Sequence, residues 1–199
     1  MYIELAEFLR CPRDADESYC VVAADETVGR QVIRGTIGCP ATKCEYAIRD
    51  GVADFTSAAP DVELPDPPAP PPADPWAVQA LIDISGPGGY VVLVGSAGSL
   101  SGGLAGLMGG VHFVCLNAAH PTQSSPDVSL VRGPHPFPLR SGMARGVVVG
   151  PEYAAEPWVR ECGRILLKGL RVVGLREDMR IPGVDALASG DGLWVGQKV

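Results

Sequence analysis

Positive charge is scarce in this sequence, which carries 16 Lys and Arg against 23 Asp and Glu, a net charge of −7 over 199 residues. Binding to a nucleic-acid backbone requires clustered Lys and Arg. The composition therefore argues against a nucleic acid as the main partner and is compatible with a protein partner. A secretory signal begins with basic residues that are followed by an apolar run, whereas this chain begins with Met-Tyr-Ile-Glu-Leu-Ala-Glu, which contains two acids. We therefore expect a cytoplasmic protein without a secretory signal.

Charge is absent altogether from residues 86–112, where glycines recur four residues apart at Gly98, Gly102, Gly106 and Gly110. Such a series is typical of packed transmembrane helices. However, ten glycines in this span make a poor isolated helix, and Gly-Pro-Gly-Gly at its start indicates a turn. We therefore do not expect a membrane span. Glycines here would instead let a helix pack closely on a sheet.

Residues 89–104 have the pattern that is most informative about the fold of the chain. A β-branched apolar run, Val91–Val94, ends at Gly95, and Leu100, Leu104 and Leu107 then recur at helical spacing. This pattern predicts a buried parallel strand, a tight glycine turn and a helix. Glycines let a ligand approach the backbone, and the start of a helix presents unpaired N–H groups.

Strand-like and helix-like segments alternate along the rest of the C-terminal part. A short amphipathic helix is predicted at 76–84 and a longer helix at 158–169. Apolar runs predict strands at 111–117, 127–132, 145–150, 170–175 and 192–198. The alternation predicts an α/β fold, Rossmann-like, with a mostly parallel sheet and helices on both faces.

Proline marks the predicted domain boundary. Residues 60–75 hold eight of the 19 prolines and four acids, without Lys or Arg. Such a composition favours a stiff, extended spacer. We therefore divide the chain into an N-terminal module (1–57), an acidic Pro-rich linker (58–75) and a Rossmann domain (76–199).

Four of the six cysteines precede residue 45, and the N-terminal module has two Cys-Pro turns separated by a predicted hairpin. Cytosolic thiols stay reduced, so clustered cysteines there point to a metal before disulfides. Two such turns around a hairpin are the layout of a zinc ribbon, in which a tetrahedral ion replaces the core that so small a module lacks.

Residues 1–55 resemble the short zinc-ribbon proteins that activate tRNA and release-factor methyltransferases. The matching pieces are Leu-Ala-Glu-Phe-Leu-Arg-Cys-Pro at 5–12, Ile-Arg-Gly-Thr-Ile-Gly-Cys-Pro at 33–40 and Tyr-Ala-Ile-Arg-Asp-Gly-Val at 46–52. Asp14 stands where the family has its second Cys, and the second knuckle is stretched to Cys39-x4-Cys44. The resemblance implies zinc bound by Cys11, Cys39, Cys44 and a fourth ligand, Cys20 or Asp14. The other interpretation is that Cys20 is a strand residue and the ribbon holds no metal.

Residues 76–199 resemble class I S-adenosylmethionine-dependent methyltransferases. The counterparts of the family motifs are Val-Leu-Val-Gly-Ser-Ala-Gly at 92–98, the stretch 136–148 that begins Pro-Phe-Pro-Leu, and Glu-Cys-Gly-Arg-Ile-Leu-Leu-Lys-Gly-Leu-Arg-Val at 161–172. The resemblance implies that S-adenosylmethionine, if bound, contacts Gly95, Ser96, Ala97, Gly98 and Asn117.

The acids that this family places around the cofactor are missing. Other residues stand at the four expected positions: Leu93 or Val94, Asn117, Arg132 or Gly133, and Arg145. Each lost carboxylate removes an acceptor worth about 1–3 kcal/mol to a polar ligand. The sequence therefore predicts a degenerate cofactor site on a retained scaffold.

Few residues remain as candidates for catalysis. Glu152 and Tyr153 follow the fourth predicted strand of the Rossmann domain, and His135 lies in a loop, as does His120. If the protein is an enzyme, we expect Glu152, Tyr153 and His135 to act, the histidine as a general base. We interpret His112 as a packed strand residue, and we assign no nucleophile to Cys115 or Cys162.

Three hypotheses follow. The preferred one is a methyltransferase-like pseudoenzyme that serves as a non-catalytic subunit or scaffold, with the N-terminal module and the linker available for protein–protein interaction. The second is an active S-adenosylmethionine-dependent methyltransferase. The third is that the N-terminal module activates a separate methyltransferase. The sequence indicates neither substrate nor oligomeric state.

Overall fold

The computed structural model describes residues 1–66, 73–118, 122 and 124–199. Within this part of the chain, eleven strands form one sheet. They are β1 (Val21–Val28), β2 (Gln31–Gly38), β3 (Glu45–Arg49), β4 (Val52–Asp54), β5 (Tyr90–Val94), β6 (His112–Leu116), β7 (Val128–Arg132), β8 (Ala144–Val149), β9 (Leu166–Gly174), β10 (Val184–Gly190) and β11 (Leu193–Lys198). The α-helices are α1 (Pro75–Ile82), α2 (Ser101–Leu107) and α3 (Trp158–Ile165).

The strands lie in the order β1-β2-β3-β4-β7-β6-β5-β8-β9-β11-β10. The central strands β7, β6, β5, β8 and β9 are all parallel, and β11 pairs antiparallel with β9. Counted along the chain from β5, the central order is third, second, first, fourth and fifth, the order of a doubly wound sheet. The predicted α/β class and its parallel-rich sheet are confirmed.

Local sequence explains the boundaries of the central elements. All five residues of β5 are buried, as expected for a strand covered on both faces. Asp74 caps α1 by accepting a hydrogen bond from the N–H of Trp76 at 3.1 Å, and Pro75 occupies the first helical position. The helix predicted at 158–169 ends earlier, at Ile165, because Leu166 is extended and already pairs with Ala144 in the sheet.

In the Rossmann domain as described, one strand was not predicted. In β10, Val-Asp-Ala-Leu-Ala-Ser-Gly, every residue after Val184 is exposed, so its sequence has no buried alternation to reveal it. The strand forms because it pairs with β11 over residues 184–190, and it is one edge of the sheet.

The two faces of the sheet are covered differently. On one face α1 and α2 pack over Val91, Leu93 and Phe113. On the other face α3 shares the core with the start of the chain, where the 3-10 helix Ile3–Phe8 and the following residues bury Leu5 and Leu9. The described parts of the β6–β7 and β7–β8 connections contain no helix. On this face the N-terminal module packs against the central strands, with Leu5 and Leu9 in the same cluster as Val114 and Val131.

The N-terminal module continues the sheet of the Rossmann domain. β4 runs parallel to β7, with Ala53 beside Val131, and the N–H of Phe55 donates to the carbonyl of Arg132 at 2.7 Å. The N–H of Tyr2 donates to Oγ of the fully buried Ser129 at 2.8 Å. In the linker, Leu64 packs on the shared core, and residues 67–72 lie outside the described part of the chain. The division at 57 and 76 stays a prediction.

The glycine series does not form a helix–helix seam. A Cβ at Gly102 or Gly106 would meet nothing within 4 Å, whereas a Cβ at Gly98 would lie 2.6 Å from Ala118 Cβ and one at Gly103 would lie 2.7 Å from Pro75 Cγ. Gly103 therefore permits the close packing of α1 on α2. Across the described residues, the helices are too short or too polar to cross a membrane.

Candidate cofactor site at the carboxyl ends of β5 and β8

The direction of strand order reverses at β5, which lies between β6 and β8. In doubly wound sheets, ligands bind in the crevice at the carboxyl ends of the strands flanking this reversal. Gly95 follows β5 directly, Asn117 follows β6, and Gly150, Pro151 and Glu152 follow β8. The predicted cofactor residues and two of the predicted catalytic residues therefore lie at one edge of the sheet.

A carboxylate from the loop after β8 is bonded to the glycine turn. The N–H of Ser96 donates to Oε1 of Glu152 at 2.5 Å, and the Ser96 hydroxyl donates to Oε2 at 2.9 Å. These bonds join residues 56 positions apart in the chain. The main-chain donor that the sequence suggested for a ligand is thus occupied by the protein's own acid.

The space above Gly95 is filled as well. Gly95 has φ of +65°, and a Cβ on it would lie 2.5 Å from Cδ2 of Tyr153 and would also collide with the Glu152 carboxylate. The Tyr153 ring is 1% exposed and packs against Trp158, with ring centroids 5.2 Å apart. Burial raises the pKa of the Tyr153 hydroxyl, which disfavours its ionised form.

Asn117 uses its side chain to hold a neighbouring loop. Its Nδ2 donates to the carbonyl of Gly133 at 2.9 Å, and its Oδ1 accepts from the N–H of Gly133 at 2.8 Å. The residue is 9% exposed and has φ of +54°, a conformation that Asn tolerates. The predicted ribose contact therefore has both polar ends of its amide engaged by the main chain.

Ala97 and Gly98 face the protein interior. Ala97 is fully buried in the core beneath α2, and Gly98 lies close to Ala118. The Cys115 thiol is 3.9 Å from the Gly98 carbonyl. Burial raises the pKa of Cys115 to about 12, which fits an unreactive core thiol.

His135 is brought near this edge but not into the glycine turn. It is exposed, and its ring lies edge-on to Trp158 with centroids 6.1 Å apart. Trp158 contacts both His135 and Tyr153, so the two predicted catalytic side chains are linked through its ring. His120 lies outside the described residues.

Two residues at positions where acids were expected have structural contacts. The Arg145 guanidinium donates to the carbonyls of Ser85, Gly86, Pro87 and Gly88, at 2.6–3.3 Å. It therefore fixes the turn before β5. Asn117, described above, holds the loop after β7 in the same way.

The motif that resembled methyltransferases most closely fastens α3 to the loop before β8. Glu161, 5% exposed, accepts from the N–H of Phe137 at 2.7 Å, and Arg164 donates to the carbonyl of Leu139 at 2.8 Å. Arg164 also pairs with Glu17 at 2.9 Å, and Glu17 pairs with Arg10 at 2.6 Å. Burial alone would raise the pKa of Glu17, but bonds from Ser141 and the charges of Arg164 and Arg10 lower it overall. Glu17, which no sequence motif indicated, thus links the N-terminal module to α3.

Three of the four N-terminal cysteines, Cys11, Cys39 and Cys44, contact Thr42 or Tyr46. Cys11 Sγ is 3.1 Å from the Tyr46 hydroxyl and 3.3 Å from Thr42 Oγ1, while Cys44 Sγ is 3.8 Å from an Arg13 nitrogen. In the chain as described, no three or more Cys, His, Asp or Glu side chains are arranged to hold a metal ion. Burial, with smaller effects from neighbouring Cys39 and Cys11, raises the pKa of Cys20 to about 12.

The alternative zinc ligand, Asp14, is engaged in its own loop. Its carboxylate accepts from the N–H of Asp16 at 3.1 Å and from the N–H of Ser18 at 3.0 Å. A hydrogen bond from the Ser18 side chain has the largest effect on the pKa of the Asp14 carboxyl and lowers it, and the two backbone bonds lower it further. Asp14 is thus committed to its own loop, and zinc in the N-terminal module stays a prediction.

Comparison with known proteins gives structural matches alone. No protein-family model and no curated protein matches the chain. A complex of the Haloferax volcanii Trm112 methyltransferase activator with a putative methyltransferase is 18% identical over 50% of this chain and 49% of that one, with a TM-score of 0.42. The chain thus spans about half of that relative's length.

Two further solved structures are similar over more of the chain. The antibiotic-resistance methyltransferase Kmr is 11% identical, covering 64% of this chain and 93% of that one, with a TM-score of 0.45. A geranyl diphosphate methyltransferase in complex with SAM is 12% identical, covering 63% and 84%, with a TM-score of 0.48. At such identities the similarity concerns the fold alone.

Proposed function

We propose that this chain is a methyltransferase-like protein whose cofactor site is filled by its own side chains, and that it works as a non-catalytic subunit or scaffold in a protein assembly. The observation that carries the proposal is the pair of hydrogen bonds from Ser96 to the Glu152 carboxylate.

A ligand at the glycine turn would first have to displace Glu152, and the free energy of that displacement would be subtracted from its binding free energy. A hydrogen bond to a charged group contributes about 1.5–3 kcal/mol, which corresponds to a loss of roughly 10–150-fold in affinity. S-adenosylmethionine also carries a carboxylate, and the Glu152 carboxylate would repel it at close range.

The second support is the commitment of Asn117. The hydroxyls of a ribose need an acceptor at the end of the second strand, and both polar groups of this amide already bond to Gly133. Freeing them would leave the Gly133 N–H and carbonyl unpaired in a buried place, at a cost of about 1–3 kcal/mol each.

The alternative is an active S-adenosylmethionine-dependent methyltransferase, and one observation favours it. Glu152 is an acid at the glycine turn, where its carboxylate would pair with the ammonium or sulfonium charge of the cofactor. In that case Glu152 would be a binding residue, with Tyr153 and His135 on the acceptor side.

Zinc in the N-terminal module remains a separate prediction. The predicted ligands are Cys11, Cys20, Cys39 and Cys44, with Asp14 as alternative. To bind zinc as thiolates, Cys11 and Cys44 would have to leave their present partners, and the Asp14 carboxylate would have to leave Ser18. Metal content of the purified protein, measured by atomic emission, tests it: one zinc per chain would support the resemblance, and none would favour an unmetallated ribbon.

Calorimetric titration with S-adenosylmethionine and S-adenosylhomocysteine separates the two functions when wild type and Glu152→Ala are compared. The proposal predicts no heat of binding to the wild type at millimolar ligand and no weaker binding by the variant. The alternative predicts micromolar binding to the wild type and at least a tenfold loss in Glu152→Ala. Glu156→Ala, which alters an exposed acid paired with Arg160, is the matched control.

A further inference from the structure

A cavity of about 500 Å³ lies beside β10 and β11, away from the glycine turn. Half of its ten lining residues are polar or charged; the apolar part of the lining, called the floor here, includes Met179, Ile181 and Trp194, each 5% exposed or less. Its volume is within the range of about 300–1,000 Å³ that is typical of small-molecule sites, in which apolar side chains are combined with placed polar groups. None of its lining residues belongs to the Gly95 site.

Glycines make room for this floor. A Cβ at Gly174 would lie 2.7 Å from Sδ of Met179, and one at Gly163 of α3 would lie 3.1 Å from Cγ2 of Ile181. The Trp194 ring lies against Gly196, two residues further along β11, where a Cβ would collide with it. The three apolar side chains are therefore held in fixed positions.

Two acids at the rim stabilise the loop rather than face a ligand. Oε1 of Glu177 accepts from the N–H of Gly192 at 2.7 Å. Asp178 pairs with Arg176 through two bonds of 2.5 and 2.6 Å, which lower the pKa of its carboxyl. The loop that closes the cavity is thus tied at both of these positions.

Two residues of opposite charge at the same cavity have no such partner within the protein. Arg180 and Asp185 both line it and are exposed. Within the described part of the chain, neither side chain has a hydrogen bond or an ion pair, and the two are not paired with each other. A guanidinium binds a carboxylate through two parallel bonds, and a carboxylate binds an ammonium.

We propose that this cavity binds a small zwitterion, an amino acid with an apolar side chain. Its carboxylate pairs with Arg180, its ammonium group pairs with Asp185, and its side chain lies on Met179, Ile181 and Trp194. The site goes beyond the proposed scaffold function and does not depend on the state of the Gly95 turn.

L-phenylalanine is the probe, titrated calorimetrically into the full-length protein beside two analogues that each lack one charge, 3-phenylpropionate and 2-phenylethylamine. The proposal predicts binding of L-phenylalanine and at least tenfold weaker binding of both analogues. Arg180→Gln and Asp185→Asn should each weaken L-phenylalanine binding at least tenfold.

Matched controls are Arg160→Gln and Asp191→Asn, exposed charges that do not line the cavity, and both should bind as the wild type does. Glu152→Ala should also bind normally, which separates this site from the Gly95 turn. The proposal would be overturned if either analogue bound as tightly as L-phenylalanine, or if L-phenylalanine did not bind. It would also be overturned if Arg180→Gln and Asp185→Asn bound L-phenylalanine as the wild type does.

Discussion

Gly95 has a backbone conformation and surroundings that a larger residue cannot share. Its φ of +65° disfavours any residue with a Cβ, and that Cβ would meet the Tyr153 ring. We expect Gly95→Ala to lower the free energy of unfolding by roughly 2–4 kcal/mol, measured by urea denaturation. Gly106→Ala, where a Cβ meets nothing within 4 Å inside α2, should instead raise it by up to about 1 kcal/mol. Similar effects of both substitutions would contradict the packing of Tyr153 on the turn.

His112 connects the start of the chain to β7. Its ring stacks on Tyr2 with centroids 4.5 Å apart and lies edge-on to Tyr90, and Nε2 is 2.9 Å from Ser129 Oγ. Burial lowers its pKa from 6.5 to about 4, with Asp127 raising it slightly and the Met1 amino group lowering it further. The folded protein therefore binds fewer protons at this site than the unfolded chain.

Acid should therefore destabilise the protein through His112. Between pH 6.5 and 4 the unfolded state gains a proton that the folded state resists, so stability falls as pH falls through this window. Allowing for partial exposure, we expect a loss of roughly 1–2 kcal/mol from this residue. Urea denaturation of the wild type and of His112→Gln at pH 6.5 and 4.5 isolates the contribution of His112, because both proteins contain the same carboxylates. An equal loss in both proteins would show that His112 does not contribute.

The sequence predicts where individual residues of the candidate site lie relative to the strands, but not what their side chains contact. The positions of Gly95, Asn117 and Glu152 after strands could be predicted from the strand pattern. The contact of Glu152 with Ser96 could not, because it joins distant loops whose approach depends on the packing of β5 against β8. The same is true of the bonds from Asn117 to Gly133.

At the scale of elements, Glu17 links the N-terminal module to α3 by accepting from both Arg10 and Arg164. Its side chain is 21% exposed and that of Arg10 7%, so loss of the charge leaves a nearly buried cation without its partner. We expect Glu17→Gln to lower the free energy of unfolding by about 1–3 kcal/mol in urea denaturation. Glu156→Gln, in the exposed pair with Arg160, should change it by no more than about 0.5 kcal/mol. Equal effects of both would show that the Glu17 network adds nothing to stability.

The central strands could be predicted because each is a short, buried, β-branched run. Two elements could not be predicted this way. β10 is exposed along almost its whole length, and the end of α3 is set by the pairing of Leu166 with Ala144. The parallel pairing of β4 with β7 joins segments on opposite sides of the proline-rich linker. Local sequence patterns do not predict which distant strands pair with each other.

At the scale of the whole molecule, the N-terminal module and the Rossmann domain share one hydrophobic core. Leu5, Leu9 and Phe55 lie in the same buried cluster as Val114 and Val131. A fragment of residues 76–199 would expose that face of the sheet, and each uncovered large apolar side chain costs about 1.5–3 kcal/mol. We expect the fragment to aggregate or to unfold without a cooperative transition in circular dichroism.

A matched two-chain form tests the same point from the other side. Residues 1–66 and 73–199, expressed together, keep β4, β7 and the shared core while the linker is cut. We expect this pair to co-purify and to unfold cooperatively. A stable, cooperatively folded fragment 76–199 would show instead that the Rossmann domain does not need the N-terminal module.

The claim that the glycine turn is filled from within is tested most directly by the amide NMR signals of Gly95, Ser96 and Gly98 in the wild-type protein as S-adenosylmethionine is added. We expect these signals not to move at millimolar ligand, because the Ser96 N–H stays bonded to Glu152. Saturable shifts at Ser96 and Gly98 with a micromolar midpoint would contradict it and establish the turn as a working cofactor site.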